Sequence, residues 1–287
     1  MMTTKLLSKE LTSEQLANAY KAACMAELQA LKPGNVHIFS DGHGMTFHDF
    51  IKSAEASAAV IAQPNLSIGE RIYYAVETTQ KVVGLNTNLG VILLCAPLIH
   101  AALTGDSTLT LSQNLTHTLS ELNVQDAVFA AKAIVIANPA GLGKTAQHDV
   151  NETPNVNLLA LMCHAADKDR IAWQYTHSYQ DIFEFGLKRY NQSMIRWQNP
   201  AWAATALYLG FLTRNLDTHI VRKYDKTLAA GVMMEAQGFE AVFLAAENPK
   251  LVQKELLDWD ASLKKRNINP GTSADLTVAS LLTALIV

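Results

Sequence analysis

The chain has 287 residues, of which 49% are hydrophobic, a proportion that supports a large buried core and argues against disorder. Charged residues make up 17%, below the usual quarter or so, and the formal net charge is -3. That balance lacks the basic surplus of a nucleic-acid binder, so we expect no nucleic-acid partner. Cys24, Cys95 and Cys163 are odd in number and lack metal-ligand spacing, which favours free thiols in a reducing compartment.

The N-terminal sequence MMTTKLLSKELTSEQL has no signal-peptide pattern, so we expect a cytoplasmic protein. The strongest apolar run, residues 89–103, is broken by Pro97, and the C-terminal run 276–287 is too short to span a bilayer. Both are predicted to be core helices, with no membrane partner.

Helical periodicity dominates in chain order. Ser13 and Thr46 are predicted N-caps, and no segment shows the period-two alternation of a strand. The predicted helices are 13–31, 46–62, 67–83, 86–103, 108–122, 124–137, one or two within 171–197, 200–213, 217–238, 240–246, 249–265 and a last apolar helix starting near Asp275. A long polar loop covers 138–156, and helices resume near Asn157. The sequence therefore predicts one all-α domain over residues 1–287, without an interdomain linker.

Three short polar motifs border these apolar helices: KPGNV (32–36), GLNTNLG (84–90) and NPGTSADL (269–276). Turns and caps alone would explain each motif. However, helix N-termini leave amide groups free for anions, and all three motifs lie beside helix ends. Together they predict one polar site for a phosphorylated small molecule.

The first motif has further polar neighbours. Lys32 could simply end its helix before Pro-Gly, but Glu27 lies on the same helix, and Asn35, His37 and His43 follow closely. A lysine can neutralise phosphate, whereas glutamate and histidine can bind a metal or transfer a proton.

The second motif offers amide and hydroxyl groups from Asn86, Thr87 and Asn88 for a ribose or phosphate, with Gly90 allowing close approach. Helix capping by Asn86 or Thr87 is the simpler alternative. The GLGKT segment with Lys144 imitates a P-loop ending, but it lacks the first glycine at the required spacing and a preceding strand. A P-loop NTPase is therefore disfavoured.

Two other segments carry candidate ligands. Lys144, Asp149 and Glu152 in the polar loop suit a magnesium-phosphate site, although a solvated loop would have the same composition. Asp217, His219 and Arg222 in LDTHIVRK could be a helix cap with surface charges. Asp275 lies at the start of the last helix, where the helix dipole favours an acid.

The order of the motifs resembles the triphosphoribosyl-dephospho-CoA synthases over nearly the whole chain. Glu27 with KPGNV resembles the family's E…KPGLVD, and DGHGMTFHDF (41–50) resembles GAHKDM…DF. GLNTNLG resembles GVNTHKG, LDTHIVRK resembles GDTNVxxR, and RNINPGTSADL (266–276) resembles RNLSPGGSADL.

The resemblance implies an all-helical enzyme that joins ATP to 3′-dephospho-CoA and releases adenine, with Mg²⁺ as cofactor. It implies that Glu27, Asp149, Asp217 and Asp275 are catalytic candidates, and that Glu27, Asp149, Glu152 and Asp217 are metal ligands. It implies that Lys32, Asn86 and Thr87 bind nucleotide phosphate and ribose and that Arg222 binds phosphate. With the polar residues of the motifs and the loop, the predicted substrate-binding residues are Lys32, Gly34, Asn35, His37, His43, Asn86, Thr87, Asn88, Gly90, Lys144, His219, Arg222, Asn269 and Ser273.

The departures from the family pattern concern charge. The aspartate after KPGLV is replaced by His37, the His-Lys pair of NTHKG by Asn88 and Leu89, and the Asp of HKDM by Gly44. These changes leave open the same chemistry on another acceptor, a related glycosyl or phosphoryl transfer in the biosynthesis of another coenzyme, or a non-catalytic nucleotide-binding protein.

The expected partner is a nucleotide or coenzyme precursor. Trp197 and Trp202 fit either a homodimer contact or core packing.

Overall fold

A computed structural model describes residues 11–139 and 152–287 and confirms the all-α prediction. The first six helices are α1 (Ser13–Gln29), α2 (Phe47–Ile61), α3 (Ile68–Val83), α4 (Leu89–Thr104), α5 (Leu111–Ser120) and α6 (Val124–Ala137). The next are α7 (Leu158–Ala165), α8 (Arg170–Thr176), α9 (Leu187–Trp197), α10 (Pro200–Arg214), α11 (Thr218–Lys223), α12 (Lys226–Ala245), α13 (Gln253–Lys265) and α14 (Gly271–Ile286). A π-helical segment (Asp181–Gly186) precedes α9, and a 3-10 turn (Pro249–Val252) precedes α13. The described ranges contain no strand, only two isolated bridges, His37 with Ser40 and Gly42 with Met45.

Capping boxes start several of these helices. Thr46 caps α2 as predicted, accepting from the Asp49 amide while the Asp49 carboxylate accepts from the Thr46 amide. The predicted cap of α1 is wrong by one residue, because Thr12 forms the capping box with Gln15 and Ser13 is already helical. The Ser13 hydroxyl instead donates to the carbonyl of Ala62 at the end of α2.

Three predicted boundaries are wrong for identifiable reasons. Helix α4 begins at Leu89 rather than residue 86, since residues 86–88 form the turn before it. The segment 217–238 divides at Asp225, whose side chain caps a new helix. That helix, α12, continues through Gly238 to Ala245, because a single helical glycine costs only about 1 kcal/mol and does not break a helix.

The centre of the fold is formed by α4 and α14, which are buried along nearly their whole length. Helix α14 packs against α1, α4 and α10, and α4 also packs against α3 and α5. A second apolar cluster joins α10, α12 and α13 around Phe243 and Trp259. This arrangement places the N-termini of α4 and α14 together inside the domain, close to the C-terminal half of α1.

Trp197 and Trp202 belong to this second cluster. Both rings lie near Phe243, with ring centroids 5.1 Å and 6.1 Å away. These contacts support the core-packing interpretation of the two tryptophans, and a homodimer stays a prediction.

Helix α12 is the one helix in the described ranges that is long and apolar enough to cross a membrane by length and composition. Only 22% of its most apolar window is buried, so several apolar residues, including Met234 and Val242, are exposed. Its inner face, with Val232, Ala236 and Phe243, is part of the second cluster.

Candidate active site

All three polar motifs contribute to one cavity of about 1210 Å³. The helix N-termini of α4, α11 and α14 open into it, together with the C-terminal half of α1. The motif residues that line it are Asn35, Asn86, Thr87, Asn88, Leu89, Gly90, Asn269, Gly271, Thr272, Ala274 and Asp275. Glu27, His43, Glu152, His219 and Arg222 also line the cavity, so the fold brings together most of the residues selected from the sequence.

Glu27 is anchored in the cavity wall by a buried lysine. The Lys32 ammonium forms an ion pair with Glu27 Oε1 and donates a 3.0 Å hydrogen bond to Asn35 Oδ1. Asn35 Nδ2 in turn donates to Asn269 Oδ1 at 2.8 Å, which links the first motif to the third. Glu27 lines the cavity, whereas Lys32 is fully buried behind it.

This position bears on the predicted phosphate-binding role of Lys32. Burial lowers the pKa of Lys32, and the Glu27 carboxylate opposes that shift. Burial likewise raises the pKa of Glu27, and Lys32 opposes it. Because Lys32 does not line the cavity, the geometry favours a positioning role toward Glu27, and direct phosphate contact stays a prediction.

Asp275 is the second carboxylate of the cavity. It lies in the first turns of α14 and has no hydrogen-bond partner within the described residues. Burial raises its pKa well above the usual range, and the charges of Asp217, Glu27 and Asp169 raise it further, whereas Arg222 acts in the opposite direction. Among the carboxyl groups that line the cavity, Glu27 and Asp275 therefore have different environments, the first paired with a lysine and the second repelled by other acids.

Gly90 makes room for the Asp275 carboxylate. A Cβ atom on Gly90 would lie 2.0 Å from Asp275 Oδ2 and 2.8 Å from Ile171 Cδ1. The sequence predicts that this glycine allows a nucleotide to approach α4. The structure shows that it allows Asp275 to approach, and nucleotide contact stays a prediction.

Gly90→Ala is therefore expected to displace Asp275 and lower kcat on the order of 100-fold, since ångström-scale misplacement of a catalytic group has effects of that size. Overpacking should also reduce the free energy of unfolding by roughly 1–3 kcal/mol. Kinetics and urea denaturation of the purified variant test both effects. Gly231→Ala is the matched control. A Cβ atom on this helical glycine of α12 would meet no atom within 4 Å beyond its chain neighbours and the local helix backbone, so the change should leave kcat unchanged. Normal kcat in Gly90→Ala would contradict a role for the Asp275 position.

Asp217 is predicted from the sequence to bind metal or act in catalysis, but its oxygens are already occupied. Oδ1 accepts from the amides of His219 and Ile220, and Oδ2 accepts from the Ser273 amide and hydroxyl, both at 2.8 Å. It is buried and does not line the cavity. These contacts join the first turns of α11 and α14, so the geometry favours a structural role for Asp217 and for Ser273, and metal binding stays a prediction.

The α8–α11 side of the cavity is basic. Arg222 donates to Asp169 Oδ2 at 3.1 Å, and Asp169 Oδ1 caps the N-terminus of α8. Lys168 and Lys223 line the same side. His219 is close to these cations; burial, followed by Arg222 and Lys223, lowers its pKa to about 4, so its imidazole is neutral at physiological pH.

The second motif is ordered by its own hydrogen bonds. Asn86 Oδ1 accepts from the Leu89 amide at 3.3 Å, but the N-cap residue of α4 is Asn88 and not Asn86 or Thr87 as predicted. The Thr87 hydroxyl pairs with that of Ser53. Asn88 Nδ2 donates to Ser57 and Thr79, so this amide is held by the protein, and its binding to substrate stays a prediction.

Other predicted binding residues lie at the margin or outside. Gly34 has a φ of +85° and donates to Asp260 Oδ1, and His43 Nε2 lies 2.8 Å from the Gly34 carbonyl oxygen. His37 is fully buried with Nε2 3.4 Å from Asp260 Oδ1, and neither His37 nor Gly34 lines the cavity. Their roles in binding stay predictions, and their contacts favour shaping of the first motif.

The predicted metal ligands do not form a cluster within the described residues. Lys144 and Asp149 lie outside the described residues, and Glu152 lines the cavity as an exposed residue. Within residues 11–139 and 152–287, no group of three or more His, Cys, Asp or Glu residues could hold a metal ion. Magnesium binding therefore stays a prediction.

The sequence analysis did not select several residues that line the cavity or support its walls. Lys168 and Asp169 line the cavity but lie within an ordinary surface-like segment, AADKDR (165–170). Asp260 is buried between the Gly34 amide and the Lys264 ammonium. Its only sequence signal is an acidic position facing inward on α13, and nothing in the sequence indicates its partner 226 residues away.

In the described residues, the fold is all-helical, and helix N-termini, the carboxyl groups of Glu27 and Asp275 and a basic edge surround one interior space. The sequence profile of the CitG family, ATP:dephospho-CoA triphosphoribosyl transferase, matches residues 13–287. The chain belongs to this family, which confirms the resemblance drawn from the motifs, and it is accordingly a transferase of the kind that uses ATP and dephospho-CoA.

The fold is also found in a solved structure. A chain from Archaeoglobus fulgidus, described as "putative triphosphoribosyl-dephospho-coA synthase", superposes with a TM-score of 0.63 at 21% sequence identity. The alignment covers 83% of the present chain and 97% of that chain. No curated protein matches the sequence.

Proposed function

We propose that this chain transfers the triphosphoribosyl group of ATP to a ribose hydroxyl of 3′-dephospho-CoA and releases adenine. The observation that carries the proposal is the pair Glu27 and Asp275 in one cavity, in environments that give the two carboxyl groups different proton affinities. Such a separation is the usual basis for acid and base roles in one site.

In this reaction the bond between adenine N9 and the ribose anomeric carbon breaks, and a bond from the acceptor hydroxyl oxygen to that carbon forms. Asp275, whose raised pKa favours the protonated form, donates a proton to the departing adenine. Glu27, held as a carboxylate by Lys32, accepts the proton of the acceptor hydroxyl. The negative charge of Glu27 also stabilises the oxocarbenium-like transition state.

The phosphate groups are proposed to lie along the basic edge. Lys168, Arg222 and Lys223 supply positive charge there, and Asp169 orients Arg222. On the other side, Gly90 and Val91 line the cavity in the first turn of α4, where backbone amides are free to bind anions. Two substrates with phosphoryl chains require such dispersed anion-binding groups.

The volume supports simultaneous binding of donor and acceptor. Pockets for one drug-sized ligand typically measure about 300–1,000 Å³. The present cavity, at about 1210 Å³, is larger. It has room for both ligands around the two carboxyl groups.

The carboxylates of Glu27 and Glu152, which line the cavity, fit the oxygen preference of Mg²⁺. The ion would neutralise phosphate charge when bound with ATP. Because the described residues offer no cluster of three protein ligands, phosphate oxygens and water would complete its coordination.

The first test is adenine release from ATP with magnesium, measured with and without 3′-dephospho-CoA. We expect adenine to be released only when the acceptor is present. The amount of adenine should equal the amount of triphosphoribosylated product, which mass spectrometry would identify. Magnesium-dependent ATP binding without any adenine release would contradict the proposed reaction and favour the non-catalytic alternative.

A different acceptor is the second candidate. Leu89 and Asn88 occupy the positions of the family's His-Lys pair, and Leu89 lines the cavity as an apolar residue. The start of α4 therefore carries an uncharged side chain where the family has a lysine. Adenine release with another ribose-containing coenzyme precursor, but not with dephospho-CoA, would support this alternative.

A further inference from the structure

One wall of the cavity is apolar and has no part in the proposed chemistry. On α6, Ala130, Ile134 and the capping residue Asn138 recur every four residues and all line the cavity. This face runs for about 12 Å at 1.5 Å per residue. It forms an elongated surface rather than a compact pocket.

Helices α7 and α8 complete this wall. The residues of α7 that line the cavity recur at helical spacing, and two residues of α8 follow. The apolar members are Leu158, Leu161, Met162, Ala165, Ile171 and Ala172. Phe, Tyr and Trp are absent from the lining residues of α6, α7 and α8 in the described chain.

The composition of this wall discriminates between parts of the two substrates. A nucleobase is commonly held by aromatic stacking and by hydrogen bonds to its edge. This wall instead offers mainly aliphatic side chains and small alanines, with one imidazole, His164, and the side-chain amides of Asn138 and Asn155. Aliphatic surface with a few amide groups matches a flexible chain of methylene and amide units.

We propose that the α6–α7–α8 wall is a subsite for the pantetheine arm of the acceptor, a linear chain of methylene, amide and thiol groups. The inference rests on the proposed function, in which the nucleotide half of dephospho-CoA lies beside Glu27 and Asp275. The pantetheine arm is the other half of the molecule, and we assign it to this wall. The wall is continuous with the site, since Ile171 lies next to Gly90 and Asp275. The arm can therefore extend from the reacting ribose along α6.

Ile134→Gln tests the subsite, with Val135→Gln as the matched control. Ile134 lines the cavity, whereas its neighbour Val135 is exposed and does not. We expect Ile134→Gln to raise KM for dephospho-CoA about tenfold, equivalent to about 1.4 kcal/mol, with KM for ATP unchanged. Free pantetheine should inhibit wild type in competition with dephospho-CoA and not with ATP, and this inhibition should weaken in Ile134→Gln.

An increase in KM for ATP with no change for dephospho-CoA would overturn the proposal, because it would assign the wall to the donor's base. An equal effect of Val135→Gln would overturn it as well. Calorimetric titration with dephospho-CoA separates this inference from the proposed function. If wild type releases no adenine but Ile134→Gln still weakens dephospho-CoA binding about tenfold, the reaction is wrong and the subsite stands; if binding is unchanged, the subsite is wrong.

Discussion

Asp275→Asn is expected to abolish most adenine release while making the folded protein more stable at neutral pH. As the proposed general acid, Asp275 should contribute roughly 10²–10⁴-fold to kcat, and the amide of asparagine has no acidic proton to transfer. Burial and the charges of Asp217 and Glu27 raise its pKa, so the ionised form is disfavoured in the folded state. Replacing it removes an unfavourable buried acid.

The sign of the stability effect depends on pH. Because the folded-state pKa lies above the unfolded value near 3.8, the stabilising contribution of protonated Asp275 is fully present below that value. It is lost as the pH rises through the folded-state pKa. The advantage of Asp275→Asn over wild type should therefore grow with pH, which thermal denaturation at several pH values would measure.

Asp258→Asn is the control for this experiment. Asp258 is an exposed residue paired with Lys254 on α13, so the same chemical change there should alter neither kcat nor the pH dependence. Retention of activity in Asp275→Asn would contradict the acid role. If Asp275→Asn were instead less stable than wild type, by a margin that grows with pH, the environment assigned to Asp275 would be contradicted.

Lys32→Met is expected to reduce the free energy of unfolding by about 3–5 kcal/mol, because it leaves Glu27 buried without its counter-charge. Activity should fall as well, since Glu27 would gain a proton and lose its function as a base. Urea denaturation and adenine release measure the two effects separately.

The double variant Glu27→Gln/Lys32→Met separates positioning from phosphate binding. Removing both charges should restore most of the stability without restoring activity. If Lys32→Met instead folds with normal stability and loses only affinity for ATP, Lys32 contacts phosphate directly, as the sequence predicts. The two roles therefore give opposite results in denaturation.

The helices could be predicted because their signals are local. Apolar residues at three- and four-residue steps and caps such as Thr46 depend on neighbours within one or two turns. Errors arose where tertiary contacts decide, as at Gly238, where α12 continues because its inner face packs against α10. The π-helical segment Asp181–Gly186 had no recognisable signal in the sequence.

The site was only partly predictable. Motif order indicated the family, and the structure gathers Glu27, Asn86 and Asp275 around one cavity. The sequence does not show that the side chains of Lys32 and Asp217 bond to other protein groups and not to a ligand. Their partners, Asn35 and Ser273, are polar motif residues that could equally have bound the ligand themselves. A residue type that suits phosphate or metal also suits a buried hydrogen-bond network.

By itself, the sequence determined the all-α class, the family and the segments that carry polar chemistry, because periodicity, capping and motif order are properties of the linear chain. Only the tertiary structure decided which polar groups face the cavity and which serve as its support. Burial and long-range pairing set these roles: Lys32 is turned toward Glu27, Asp217 toward Ser273, and Asp275 into the space that Gly90 leaves open. These arrangements depend on how α1, α4, α11 and α14 pack together, and no local sequence pattern encodes that packing.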